Sequence, residues 1–206
     1  MELAPRDIWS KDLPCWERGQ EAGRTRPLDQ DILHENLVDV CNVFDEFKIK
    51  HWLSHGTFLG VYRDHQFIPW DDDADIAADF SQRDIAKLAV DKLRGMGFYV
   101  PDSDPSKPIG LENAPYYDLH MIRNGEKVEC WFFEKKGDFW VYDEPRCKND
   151  LKHPAKYYDT LGEITFRGRK YNCPNHELDY LVMMYGNGWN KPDPNKKYNN
   201  NPQGLK

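Results

Sequence analysis

The sequence predicts an α/β chain with a mixed sheet flanked by helices. Three observations lead there. Apolar residues recur at three- and four-residue spacing in several separate segments, which marks amphipathic helices. Short runs rich in strand formers, bounded by Gly, Pro and Asn, lie between and after those segments. An acidic run, Asp71-Asp72-Asp73-Ala74-Asp75, enters one of the strands. A length of 206 residues suits one domain, or one domain with an elaborated end.

Residues 1–27 mix charges, prolines, Trp9 and Trp16 without a period, and are expected to form an irregular arm pinned by the two tryptophans. A helix follows over 28–47, with Leu33, Leu37, Val40, Cys41 and Phe44 on one face. Residues 51–54 read as a strand ended by Gly56, and 58–62 as a short helix. Pro69 holds Ile68 extended and cannot donate to a central ladder, so the next strand begins after it, over 72–78. Ser81 with Asp84 resembles a capping box and opens a helix whose stripe is Ile85, Leu88, Ala89, Leu93 and Met96, closed by Gly97. Four prolines make 101–115 a loop.

Asn124-Gly125 between 116–122 and 128–133 is a strong hairpin signal. Residues 139–142 offer a further strand, and 164–166 with 170–171 a hairpin around Gly168. A last helix follows Pro174, with Asn175 as N-cap, Leu178, Leu181, Val182 and Tyr185 as its stripe, and Gly186 as its stop. The body therefore spans 28–192, and 193–206 is a Lys-, Asn- and Pro-containing tail expected to be disordered.

Composition narrows the function classes. A net charge of -7 argues against a nucleic-acid partner, which calls for a basic patch. No stretch approaches the roughly 20 apolar residues of a membrane span. The first residues lack the apolar segment of a signal peptide. Five cysteines, odd in number and without a C-x-x-C pair, speak against a disulfide framework and for reduced thiols, so a cytoplasmic location is expected.

Asp71, Asp73 and Asp75 alternate, and in a strand such residues point to one side, about 6.6 Å apart along the backbone. Three carboxylates on one face repel unless water or a cation separates them. All-oxygen anionic ligation selects Mg²⁺, Mn²⁺ or Ca²⁺ rather than zinc. A solvated acidic turn is the plain alternative, but the run enters an apolar strand directly after Phe67-Ile68-Pro69-Trp70. An EF-hand is excluded, because Ile76 stands where that loop needs Gly and Gln82 where it needs Glu.

Upstream, the Gly56-Thr57 turn ends a strand and opens a helix, where backbone N–H groups can hold a phosphate. Such a turn followed by two acids two residues apart on the next strand is the usual arrangement of nucleotidyltransferases. Arg63, between the two parts, is a candidate phosphate clamp. A third carboxylate is expected from a neighbouring strand. Asp118 is the first candidate, and Glu129 the second, since Glu129 can also pair with Lys127 or Lys135 across solvent. His120 shares a face with Asp118 and is expected to be a partly buried strand histidine.

The segment from His51 through Gly60, then Arg63, then Phe67 through Ile76, resembles the LicD family. That family includes bacterial phosphorylcholine transferases and the fukutin and fukutin-related ribitol-phosphate transferases. Tyr117-Asp118-Leu119 with Arg123-Asn124-Gly125 is similar to its third-acid strand. Pro174 through Leu181, then Tyr185-Gly186 and Trp189 through Pro192, is similar to its last helix. The likeness covers roughly 28–192. It departs at the cysteines, which lack the paired spacing of a zinc site, and at Ala74, where a bulkier aliphatic residue is usual; the membrane anchor of the eukaryotic relatives is not expected within these residues.

The resemblance implies a nucleotidyltransferase-type fold and transfer of a phospho-alcohol from a CDP-alcohol to a hydroxyl of a glycan or glycolipid, with CMP leaving. It implies Mg²⁺ (or Mn²⁺) on Asp73, Asp75 and Asp118, helped by Asp71, with Asp118 also as general base. Asp72, which strand alternation turns to the other face, is expected to be a bystander. Gly56, Thr57 and Arg63 would hold phosphates. Two other readings stand beside it. One is transfer of NMP from an NTP with release of pyrophosphate, and the other an inactive relative that binds a nucleotide or glycan.

Overall fold

The computed structural model describes residues 27–100, 118–142 and 151–194. The expected arm up to residue 26, the loop 101–115 and the tail from 195 lie outside the described residues. Helix α1 (Gln30–Glu46) starts where Asp29 Oδ1 accepts the N–H groups of Asp31 and Ile32, at 3.2 and 3.1 Å. It buries Leu33, Leu37, Val40, Cys41 and Phe44, the face its periodicity predicts.

Strand β1 (His51–Leu53), helix α2 (His55–Asp64) and strand β2 (Asp73–Asp79) follow, with β1 antiparallel to β2. Helix α3 (Arg83–Gly95) and strand β3 (Asp118–Arg123) precede β4 (Glu126–Lys136), the long central strand. β2 and β4 run parallel, while β3 returns antiparallel on the other edge of β4. The β3–β4 turn is the predicted Asn124-Gly125, with φ of 53° and 80°, the pair of positive values that a two-residue hairpin requires.

The far end of β4 pairs with β5 (Phe139–Tyr142), and β5 with β6 (Leu151–Pro154), completing a six-stranded mixed sheet. β6 has no counterpart in the sequence reading. The predicted hairpin around Gly168 forms a separate ribbon, β7 (Gly162–Phe166) and β8 (Arg169–Cys173), and α4 (Glu177–Tyr185) closes the order. No helix of the described residues is long and apolar enough to cross a membrane.

Two helices are rotated from their predicted faces. α3 buries Ala86, Ala89, Val90 and Leu93, while Ile85 and Leu88 are 40% and 58% exposed. The helix contacts α1, and two of its four buried residues are alanines, small enough to permit a close approach. The Ser81–Asp84 box does not cap it. Asp79 Oδ1 instead accepts from Ser81 N at 2.9 Å and opens a short 3₁₀ turn before the helix.

In α4 the buried residues are Tyr180 and Leu181, whereas Leu178 is 56% exposed and Val182 39%. Tyr180 is drawn into a ring cluster with Phe58, Tyr157 and Tyr158. The N-cap is His176, in the left-handed region at φ 55°, and not Asn175, whose Oδ1 accepts from His176 N.

One buried polar side chain ties the layers together. Asn36, on α1, has no solvent exposure and donates from Nδ2 to the carbonyls of Arg123 and Glu126, at 2.8 and 3.0 Å. Its Oδ1 accepts from Arg123 Nε at 2.9 Å. The β3–β4 hairpin, and with it the register of β4, is thus clamped to α1.

Candidate functional site

Register places the acidic run beside a second charged pair. Across the parallel β2–β4 ladder Asp73 pairs with Lys127 and Asp75 with Glu129, and across β3–β4 His120 pairs with Glu129 and Asp118 with Trp131. Paired residues share a face, so all six charged groups and Trp131 project to one side of three adjacent strands. Asp73, Asp75 and Glu129 are buried, each 7–8% exposed. One oxygen from each lies within 4.8 Å of the others; the same holds for carboxylate oxygens of Asp71, Asp72 and Asp73, and for an imidazole nitrogen of His120 with oxygens of Asp118 and Glu129.

The first turn of α2 covers this face. Gly56 N–H donates to Asp75 Oδ2 at 3.2 Å, and Trp131 Nε1 donates to Asp75 Oδ1 at 3.1 Å. Thr57 Oγ1 accepts the backbone N–H of Asp75 at 2.7 Å, stitching helix to strand. Asp71 lies just before β2, where its N–H closes a turn onto Ile68 O at 3.0 Å. Its carboxylate packs on Gly56, and a Cβ at that glycine would lie 2.3 Å from Asp71 Oδ2. Only glycine leaves that carboxylate its place.

A chain of opposite charges runs across the strands. Lys127 Nζ is 2.7 Å from Asp73 Oδ2 and 3.2 Å from Glu129 Oε2. His120 Nε2 is 3.0 Å from Glu129 Oε1 and 3.5 Å from Asp118 Oδ2. Asp118 Oδ1 is buried and has no hydrogen-bond partner among the described residues.

Burial and crowding set the protonation of these groups. Burial first, then the neighbouring carboxylates, push Asp75 well above the usual range. Burial does the same to Asp73, against the downward pull of Lys127. Asp71 is pushed up to about 6, by burial and then by Asp72. Burial also acts upward on Glu129, but Lys127 and His120 outweigh it and hold that carboxylate well below its ordinary value. Burial pulls His120 down, and Glu129 and Asp118 override it to bring the imidazole up to about 9, so it carries a proton at neutral pH.

The donor set is therefore oxygen-rich, anionic and convergent, and it fits a hard divalent cation. Asp73, Asp75 and Glu129 are the residues that could hold one, with Asp71 on one flank. A cation there would offset the burial and the crowding of carboxylates that push Asp73 and Asp75 upward.

Of the residues singled out from sequence, Asp73, Asp75, Asp71 and Gly56 come together. Asp118 stands one strand further on, two strand spacings or about 9.6 Å from the β2 axis, and reaches the cluster through His120 and Glu129. Glu129, the second candidate, is the third carboxylate beside Asp73 and Asp75. Thr57 is buried, its hydroxyl engaged by the strand backbone. Arg63 lies in the last turn of α2, about 10 Å of helix rise from Gly56. Its guanidinium donates to Asp64 Oδ2 at 2.8 and 2.6 Å and to Trp189 O at 3.3 Å.

Lys127, His120 and Trp131 take part beyond their sequence reading. A signal existed: Lys127 and Glu129 alternate with the apolar Val128 and Cys130, as Asp73 and Asp75 do with Ala74 and Ile76.

The chain is similar to known proteins over much of its length. A family profile described as LicD/FKTN/FKRP, nucleotidyltransferase domain, matches residues 48–176, more than half of the chain. The chain is 25% identical over 171 residues to the mouse ribitol 5-phosphate transferase FKRP, and 25% over 175 residues to the human one. Each alignment covers 80% of this chain and 33% of the relative, so the chain spans about a third of the length of those relatives. Among solved structures, that of the antibiotic-resistance factor ANT(2'')-Ia superposes with a TM-score of 0.49 at 14% identity, covering 76% of this chain and 72% of that one.

Proposed function

The chain belongs to the LicD/FKTN/FKRP family of nucleotidyltransferase domains, and from that premise we propose that it transfers a phospho-alcohol, such as phosphocholine or ribitol phosphate, from a CDP-alcohol to a hydroxyl of a glycan or glycolipid. The observation that carries this reading is the convergence of Asp73, Asp75 and Glu129 in front of the first turn of α2. Buried oxygens beside helix N–H groups suit a diphosphate and its counter-cation.

In the proposed reaction the acceptor oxygen bonds to the phosphorus that carries the alcohol. The bond from that phosphorus to the CMP oxygen breaks, and CMP leaves with that oxygen. Mg²⁺ (or Mn²⁺) held by Asp73, Asp75 and Glu129, with Asp71 beside them, would neutralise diphosphate charge. Asp118 is assigned the hydroxyl proton: its Oδ1 has no hydrogen-bond partner among the described residues, while His120 steadies Oδ2. Gly56 orients Asp75 and leaves room for Asp71, and Thr57 locks β2 to α2. Arg63 supports the phosphate turn from the far end of its helix.

Incubation with CDP-choline, CDP-ribitol, CDP-glycerol, CTP and ATP in Mg²⁺, with detection of CMP and pyrophosphate, tests the proposal. CMP from at least one CDP-alcohol in the presence of a glycan acceptor is expected. Pyrophosphate from an NTP, with no CMP from any CDP-alcohol, would sink it.

A further inference from the structure

Lys127 has no part in the reaction as drawn above, yet its ammonium lies between two of the three carboxylates assigned to the cation. Its side chain is 17% exposed, so water screens the charge only weakly. Asp73 Oδ2 and Glu129 Oε2 cannot serve an ammonium and a divalent cation in full at once, because the two positive charges repel at such range.

One of the partners has to yield, and the geometry says which. Glu129 is gripped on both oxygens, by His120 on Oε1 and Lys127 on Oε2. Asp73 opens β2, where its backbone is held in the parallel ladder opposite Lys127 of β4. The lysine carries its charge on a flexible four-carbon stem and can swing.

We propose that Lys127 is an exchangeable counter-ion: it neutralises Asp73 and Glu129 in the cation-free protein, releases those oxygens to an arriving divalent cation, and then pairs with the diphosphate of the donor. The last step rests on the CDP-alcohol reading, and the first two do not. Lys127 is thereby a positioning residue for the cation and a contact for the donor.

The test measures Mn²⁺ binding by electron paramagnetic resonance, and CDP binding in saturating Mn²⁺ by calorimetry, on the full chain and on Lys127→Met and Lys127→Arg. Lys127→Met is expected to bind Mn²⁺ roughly tenfold or more tighter, since a competing charge is gone. It is expected to bind CDP roughly tenfold weaker, having lost a charge-assisted contact. Lys127→Arg, whose planar fork grips carboxylates more firmly, should bind Mn²⁺ more weakly than wild type.

Mn²⁺ affinity in Lys127→Met equal to or below wild type overturns the exchange. CDP affinity equal to wild type overturns the donor contact. If Lys127→Met is unstable, melting with and without Mn²⁺ decides: its melting temperature should rise more on Mn²⁺ addition than that of wild type, and an equal rise overturns the exchange. Wild type that binds Mn²⁺ but neither CDP nor any CDP-alcohol overturns the donor reading alone, because the Mn²⁺ comparison does not depend on it.

Discussion

Gly56 and Asp71 occupy each other's space: a Cβ on the glycine would stand 2.3 Å from Asp71 Oδ2 and 3.6 Å from Asp75 Oδ2. The obstacle is a side-chain carboxylate, so Gly56→Ala should fold and displace Asp71. Activity is expected to fall on the order of 10²-fold through misplacement of the site. Combining Gly56→Ala with Asp71→Ala should make the glycine change nearly silent, and the double-mutant cycle measures this directly. Equal losses in both backgrounds would show that the two residues act independently.

Trp131 is the second donor to Asp75, through Nε1 at 3.1 Å, and its ring packs between His55 and Tyr142 at centroid distances of 4.6 and 4.8 Å. Trp131→Phe keeps most of the packing and removes the hydrogen bond. A roughly tenfold drop in turnover with a small change in melting temperature is expected, in line with a hydrogen bond to a charged group. Steady-state kinetics and a thermal melt of the same preparation check it.

Asn36 carries a structural prediction. Asn36→Ala strips the carbonyls of Arg123 and Glu126 of their buried donor. Stability should fall by about 1–3 kcal/mol, the cost of leaving buried polar groups unsatisfied. Chemical denaturation measures the loss, and hydrogen exchange should show it concentrated in β3 and β4.

His153 gives a pH dependence of definite sign. Burial, then the nearby His55, push its imidazole down to about 3, and its Nδ1 lies 2.5 Å from the Tyr158 hydroxyl. The folded value is below the unfolded 6.5, so the unfolded chain takes up a proton first. The contribution to stability is complete above 6.5 and is lost as pH falls toward 3. Asp73 and Asp75, with raised values, act in the opposite sense, so the difference between wild type and His153→Gln isolates the histidine. The variant should melt lower at neutral pH and lose less on acidification. Parallel acid sensitivity in both proteins would remove His153 from this account.

The sequence was most informative where chemistry is local. Asn124-Gly125 demanded two positive φ values, and the alternation of Asp73 and Asp75 demanded one face. It was least informative where distant segments decide. That Glu129, rather than Asp118, lies beside Asp73 and Asp75 follows from a parallel β2–β4 register between residues some 54 apart, which no spacing within either strand reveals. The outward turn of Leu88 and Leu178 has the same origin. Alanines on α3 and the Tyr180 ring on α4 chose the contact faces, where hydrophobicity alone favours the larger aliphatic residues. Arg63 looked like a phosphate clamp by its place between two motifs, yet a helix of ten residues carries it away from the first turn.

In the proposed mechanism the carboxylates in front of Gly56 hold a divalent cation that in turn holds the nucleotide. Calorimetric titration of CMP into the wild-type chain and into Asp73→Ala, each with and without Mg²⁺, tests it most directly. Binding that requires Mg²⁺ and disappears in Asp73→Ala is the predicted result. Nucleotide binding that persists unchanged without Mg²⁺, or in Asp73→Ala, would contradict it.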